Sequence, residues 1–158
     1  MLLALLRHAP AHPPSGPEPA ADALRALTPR GRRRMRRVGR GLARAGLRFD
    51  RLLTSPLRRA TETAALARHL VDGPVQVEPL LAQAPTPALL ERLGGQQPLL
   101  VGHEPHLSAL AAWLACGDPA VGAGLRLRKA GLLLLEGAPQ PGAMRIVALL
   151  PPGLSRHL

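Results

Sequence analysis

The chain has 158 residues, 46% of them hydrophobic, enough to bury the core of one domain spanning 1–158 and too apolar for a disordered polymer. Its net charge of +11 rests on arginine, with Lys129 as the one lysine, and permits anionic partners: nucleic acid, phosphorylated ligands or acidic proteins. No apolar run approaches the roughly 18 residues that cross a bilayer, and the single cysteine, Cys116, excludes an internal disulfide framework and a Cys-based zinc site. Arg7 interrupts the first apolar run and no basic residue precedes it, so neither a secretory leader nor a membrane partner is expected, and the expected location is cytoplasmic.

In chain order, residues 2–6 read as a buried strand that ends in Arg7-His8. Residues 12–21 are rich in Pro, Ser and Gly and mark a loop, with a short helix over 22–27. Thr28-Pro29 is an N-cap and N1 pair that opens a helix with an apolar face at Met35, Val38 and Leu42, and Gly46 is placed to end it. A second strand over 49–53 leads to Ser55-Pro56, read as the cap of a helix over 57–70. A third strand over 75–77 is followed by a short helix near 87–93, and a fourth over 99–101 ends in Gly102-His103 before a helix over 106–115. Residues 131–136 and 145–150 read as a hairpin joined by the Pro/Gly turn 137–142.

Strands alternating with helices predict an α/β sheet covered on both faces, with ligands bound beyond the carboxyl ends of the strands. Those ends carry Arg7-His8, Thr54-Ser55 and Gly102-His103, so two imidazoles reach the same rim. Arg58 and Arg59 fall in the first turns of a helix, where the macrodipole disfavours cations unless an anion is held there. Guanidinium forks, a helix N-terminus and two imidazoles suit a phosphoryl group. One imidazole can attack phosphorus, and nearby guanidinium charges keep it neutral and stabilise the transition-state oxygens.

The motifs resemble those of the histidine phosphatase superfamily. Arg7-His8-Ala9 is similar to its Arg-His-Gly signature and Leu27-Thr28-Pro29-Arg30-Gly31 to its Leu-Thr-x-x-Gly element. Ser55-Pro56-Leu57-Arg58-Arg59-Ala60 with Thr63 matches its Ser-Pro-x-x-Arg-Ala-x-x-Thr segment, and Val101-Gly102-His103-Glu104-Pro105 its later Gly-His element. The short length and Arg128-Lys129-Ala130-Gly131 before an apolar strand look most like the SixA-type phosphohistidine phosphatases. The resemblance implies a phosphoglycerate mutase-like, single-domain three-layer α/β/α sandwich with a mostly parallel sheet. It implies His8 as the phosphorylated nucleophile, with Arg7, Arg59 and His103 holding the phosphoryl oxygens, and no metal or cofactor. The scatter of His12, Asp22, Glu104 and His106 also argues against a metal site.

Two departures stand out. Alanine replaces glycine at position 9, which requires the backbone there to stay at negative φ. Gln83 stands where larger relatives carry a proton-donating acid, while Glu78 falls too early and Glu104 belongs to the other side of the Gly-His element. Without an acid, a phosphoramidate is the better substrate, because an imidazole leaves far more readily than an alkoxide. The expected activity is therefore hydrolysis of phosphohistidine on a protein. A broad phosphomonoesterase acting on small phosphate esters is the alternative within enzymes, and a basic binding module is the alternative outside them. The arginine-rich helix 28–46 reads first as a solvated face, then as a dock for an acidic phosphoprotein. Nucleic acid is not the expected partner, because Phe49 and Trp113 are the only aromatics available for stacking. Trp113 is expected in the core and Cys116 at least half-buried near a helix end, while His12 and His106 lie near the presumed mouth. Oligomeric state is open.

Overall fold

The first apolar run forms β1 (Leu2–Arg7), whose four central residues are buried. Such a run, without polar alternation, belongs to a strand covered on both faces. The computed structural model describes residues 1–155 and 157–158. After β1 come α1 (Pro19–Ala23), α2 (Pro29–Arg44), β2 (Arg51–Thr54), α3 (Arg58–Ala67), β3 (Val75–Val77), α4 (Pro87–Arg92), β4 (Pro98–Gly102) and α5 (His106–Cys116). The chain closes with β5 (Leu132–Gly137), β6 (Met144–Leu150) and α6 (Pro152–Ser155). The sheet order is β3-β2-β4-β1-β5-β6. β1 to β4 pair in parallel, β5 runs against β1, and β6 reverses again against β5, so β5 alone opposes the rest.

The alternation of faces along β1 divides the core in two. Ala4 and Leu6 face a layer built by α2 and α3, with Met35, Val38, Leu42, Ala60, Ala64 and Ala67. Leu3 and Leu5 face a layer built mainly by α4 and α5, with Leu89, Leu107, Leu110 and Leu114. This is the expected three-layer α/β/α arrangement with a mostly parallel sheet. No helix among the described residues is long and apolar enough to cross a membrane.

Several boundaries differ from the sequence reading. The short helix expected over 22–27 lies at Pro19–Ala23. Leu27 bridges to Ala11 and Thr28 takes the extended conformation of an N-cap, so the residues before α2 cannot stay helical. Thr28 caps α2 as expected, its Oγ1 accepting from Gly31 N at 2.9 Å, and Gly46 follows the helix at φ +77°. β2 begins at Arg51, because Phe49 is drawn into a single bridge to Val71. Ser55 does not cap α3; Leu57 occupies that position without a side-chain cap, and the last turn tightens to 3₁₀ over Arg68–Leu70. A 3₁₀ segment over Pro119–Gly124, unmarked in the sequence, packs on α5, where Gly122 meets the Ser108 backbone so closely that no Cβ would fit. That second cover explains why α5 is apolar around most of its circumference. Trp113 packs half-buried against the core, and Cys116 is exposed rather than half-buried because Gly117 ends the helix at the surface.

Candidate active site

β1 and β4 run side by side and end together, Arg7 standing opposite Gly102. The next residues, His8 and His103, therefore face each other across the rim, with ring centroids 5.1 Å apart and planes inclined at 49°. Both are only 5% exposed. His8 Nδ1 lies 2.7 Å from the Ala9 carbonyl oxygen, a contact that requires Nδ1–H and leaves Nε2 with its lone pair. His103 Nε2 is 2.8 Å from Ser55 Oγ, which joins the ends of β2 and β4. Ala9 N donates to Thr63 Oγ1 (3.0 Å), which donates to Arg59 O (2.6 Å), so the chain after His8 is fastened to α3. Ala9 stays at negative φ and is fully buried, as its replacement of glycine demands.

Of the two arginines that open α3, Arg59 turns inward and is 7% exposed, whereas Arg58 lies at the surface and pairs with Glu62. Arg59 donates to the Asp22 carbonyl (2.7 Å) and to its carboxylate (3.0 Å). Arg7 reaches the other flank and donates to Leu127 O at 2.9 Å. Among the described residues, three buried nitrogens at this rim have no hydrogen-bond partner: Arg7 Nε, Arg59 Nε and His103 Nδ1. The segment before β5 closes the floor. Ala130, at φ +62°, donates its N–H to the carbonyls of Arg7 (3.0 Å) and His8 (3.2 Å).

Burial pushes His8 down to about 4, helped by the charges of Arg59, Arg7 and Lys129 and opposed by the Ala9 hydrogen bond. Burial also pushes His103 down to about 3, with His8 and Arg59 adding to the effect. Both imidazoles are neutral near pH 7. The hydrogen bond from Arg25, with that from Arg59, holds the Asp22 carboxyl below its usual range. Burial raises Glu104, against the opposing pull of Ser108 and of the Arg7 charge.

A model of the histidine phosphatase superfamily (branch 1) matches residues 3–86, more than half of the chain. An uncharacterized protein of Picosynechococcus is 36% identical over 140 residues, covering 82% of this chain and 79% of that one. The chain belongs to the histidine phosphatase superfamily. Its fold is also that of the protein histidine phosphatase SixA, solved with tungstate, at a TM-score of 0.77 with 22% identity over 97% of this chain and 98% of the other. The α-ribazole phosphatase of Shigella flexneri shares the fold at a TM-score of 0.72, with 20% identity over 96% and 97% of the two chains.

This histidine phosphatase brings His8, Arg7, Arg59 and His103 to one rim, the four residues singled out in the sequence. Gln83 lies exposed at the end of a 3₁₀ turn (Pro79–Ala82), its backbone N–H directed to Leu80 O. Sequence reasoning missed the roles of Asp22 and Arg25. Asp22, which the sequence places in a helix over 22–27 and among the scattered metal candidates, covers Arg59 and is itself held by Arg25 at 2.9 Å. The signal in the sequence is charge: a carboxylate and a guanidinium three residues apart, just before the Leu-Thr element. Glu62 was also passed over; it receives Arg32, Arg58 and the N–H of Leu27, tying α3 to the start of α2.

Proposed function

We propose that this phosphatase hydrolyses phosphohistidine on a protein, through a covalent phosphoryl group on His8. The observation that carries the reading is the His8 Nδ1–H contact to Ala9 O, which leaves a neutral Nε2 lone pair beside two arginines. In the first step Nε2 attacks phosphorus, the substrate's P–N bond breaks, and the departing imidazole takes a proton from solvent. In the second, water attacks phospho-His8, the Nε2–P bond breaks, and inorganic phosphate leaves. Arg7 and Arg59 neutralise the phosphoryl oxygens, and His103 donates from Nδ1–H when Ser55 Oγ–H donates to its Nε2. For Arg59 the incoming phosphoryl group displaces the Asp22 carboxylate, an exchange of one anion for another. The tungstate complex of a protein with this fold supports a tetrahedral oxyanion as the ligand class.

Proton supply supports this substrate class. Asp22 is held ionised by Arg25 and Arg59, and Gln83 carries no acid. A phosphoramidate needs no positioned acid, whereas an ester loses about 10²–10⁴-fold without one. One observation favours the ester reading: Glu104 follows His103, and burial raises its carboxyl toward the protonated form. The two readings separate in steady-state kinetics on a phosphohistidine-bearing phosphotransfer domain and on an alkyl phosphate such as glycerol 2-phosphate, whose alkoxide needs a proton to leave. We expect His8→Ala to abolish turnover of the phosphoprotein and Glu104→Gln to change it less than about threefold. Loss of ester hydrolysis by about 10² or more in Glu104→Gln, with the ester the faster substrate, would reverse the assignment. Phosphoprotein turnover that survives in His8→Ala would end the covalent mechanism.

A further inference from the structure

Arg30, Arg33, Arg34 and Arg37 recur at i, i+3, i+4 and i+7 along α2, one face of the helix beside its buried stripe. Together with Arg128 and the α6 turn at Pro152 and Gly153 they line an open groove of about 520 Å³. Like charges at this spacing destabilise a helix. The ion pairs of the described residues lie elsewhere: Arg32 and Arg58 share Glu62, and Arg25 and Arg59 share Asp22. Among the described residues none of the five groove arginines is in an ion pair. A concave cluster of guanidinium groups without counter-charge is complementary to an anionic surface.

Its position supplies the second observation. Arg128 lies between Leu127, whose carbonyl accepts from Arg7, and Lys129, whose charge helps to depress His8. The groove and the His8 rim thus share one short segment, pinned to the end of β1 by the Ala130 N–H, and a molecule seated in the groove meets that segment at Arg128. We propose that this groove docks an acidic segment of the protein that carries the phosphohistidine. The proposal deepens the function proposed above and rests on it for the identity of the cargo. Nucleic acid fits the groove less well, because no aromatic side chain lines it. Phe49 is buried, and Trp113 lines a separate hollow with Pro87 and Pro139.

The test is fluorescence anisotropy at low salt with two labelled probes, an oligoglutamate peptide and an oligothymidylate of equal charge. The proteins are the wild-type chain and the double variant Arg33→Glu, Arg37→Glu. We expect the peptide to bind the wild type and the reversal to weaken it by about tenfold or more, with KM for a phosphotransfer domain rising in step. Equal peptide affinity in the two proteins overturns the proposal. So does tighter binding of the oligothymidylate with the loss falling on it, which would make the groove a nucleic-acid surface. Thermal unfolding and p-nitrophenyl phosphate turnover report on folding, and Arg33→Gln, Arg37→Gln serves if the reversal does not fold. The peptide carries no phosphoryl group, so its binding is read whether or not phosphohistidine is hydrolysed. Failure of the catalytic reading therefore leaves the docking result standing by itself.

Discussion

Burial holds the His8 imidazole down at about 4 in the fold against the ordinary 6.5 of an exposed histidine, and this difference has two consequences at the scale of the residue. The unfolded chain binds the proton first as pH falls, so stability is complete above about 6.5 and is lost on the way down to about 4. The loss for this one group is on the order of 3 kcal/mol. Urea unfolding at stepped pH should show it in the wild type and in reduced form in His8→Asn; parallel curves would contradict it. Activity follows the same sign, since the nucleophile works unprotonated: kcat/KM should hold through mild acid and fall as His8 charges. Thr63 is a positioning residue, since it takes the Ala9 N–H and gives its own proton to Arg59 O. Thr63→Val leaves a buried N–H unpaired, at a cost of about 1–3 kcal/mol. It should also lower kcat more than it changes KM, while Thr63→Ser restores both. Three of the four candidate residues, Arg7, His8 and His103, could be placed at the rim from sequence because strand ends carry them, and Arg59 because it lies in the first turn of α3. Asp22 could not, because its contact with Arg59 spans a loop whose path no periodicity records.

At the scale of the element, α2 is held at its start by two features with different consequences. Thr28 caps it, and Thr28→Ala should cost about 1 kcal/mol in chemical denaturation without altering turnover. Gly31 lies against the Pro10 carbonyl so tightly that an added Cβ would overlap it. Gly31→Ala must push α2 away from the chain that follows His8, so stability should fall by about 1–3 kcal/mol and turnover with it. Unchanged turnover in Gly31→Ala would show that the approach of α2 does not position the nucleophile. The cap of α2 was legible because Thr-Pro satisfies helix-start chemistry locally. Ser55-Pro56 carries the same local signal, yet Ser55 is taken by His103 and the Leu57 N–H, so α3 starts later with no side-chain cap. Tertiary contact decided the second case.

At the scale of the whole molecule, the alternation of strand and helix made the three layers legible, and apolar runs without polar alternation marked the central strands. The 3₁₀ segment over Pro119–Gly124 was not legible, because its hold on α5 depends on close backbone approach at Gly122 rather than on an apolar pattern. The same stretch precedes β5, the strand that runs against its neighbours. β1 to β4 deliver their last residues to the rim, but β5 delivers its first, with Arg7 N bonded to Gly131 O. Residues 117–131 must therefore climb from the far end of α5 back to the pocket. A longer stretch there would leave every strand in register, at only about 0.6 kcal/mol of closure entropy per doubling. The candidate residues sit on elements fixed by the register of the sheet, whereas the passage 117–131 can change in length without disturbing it.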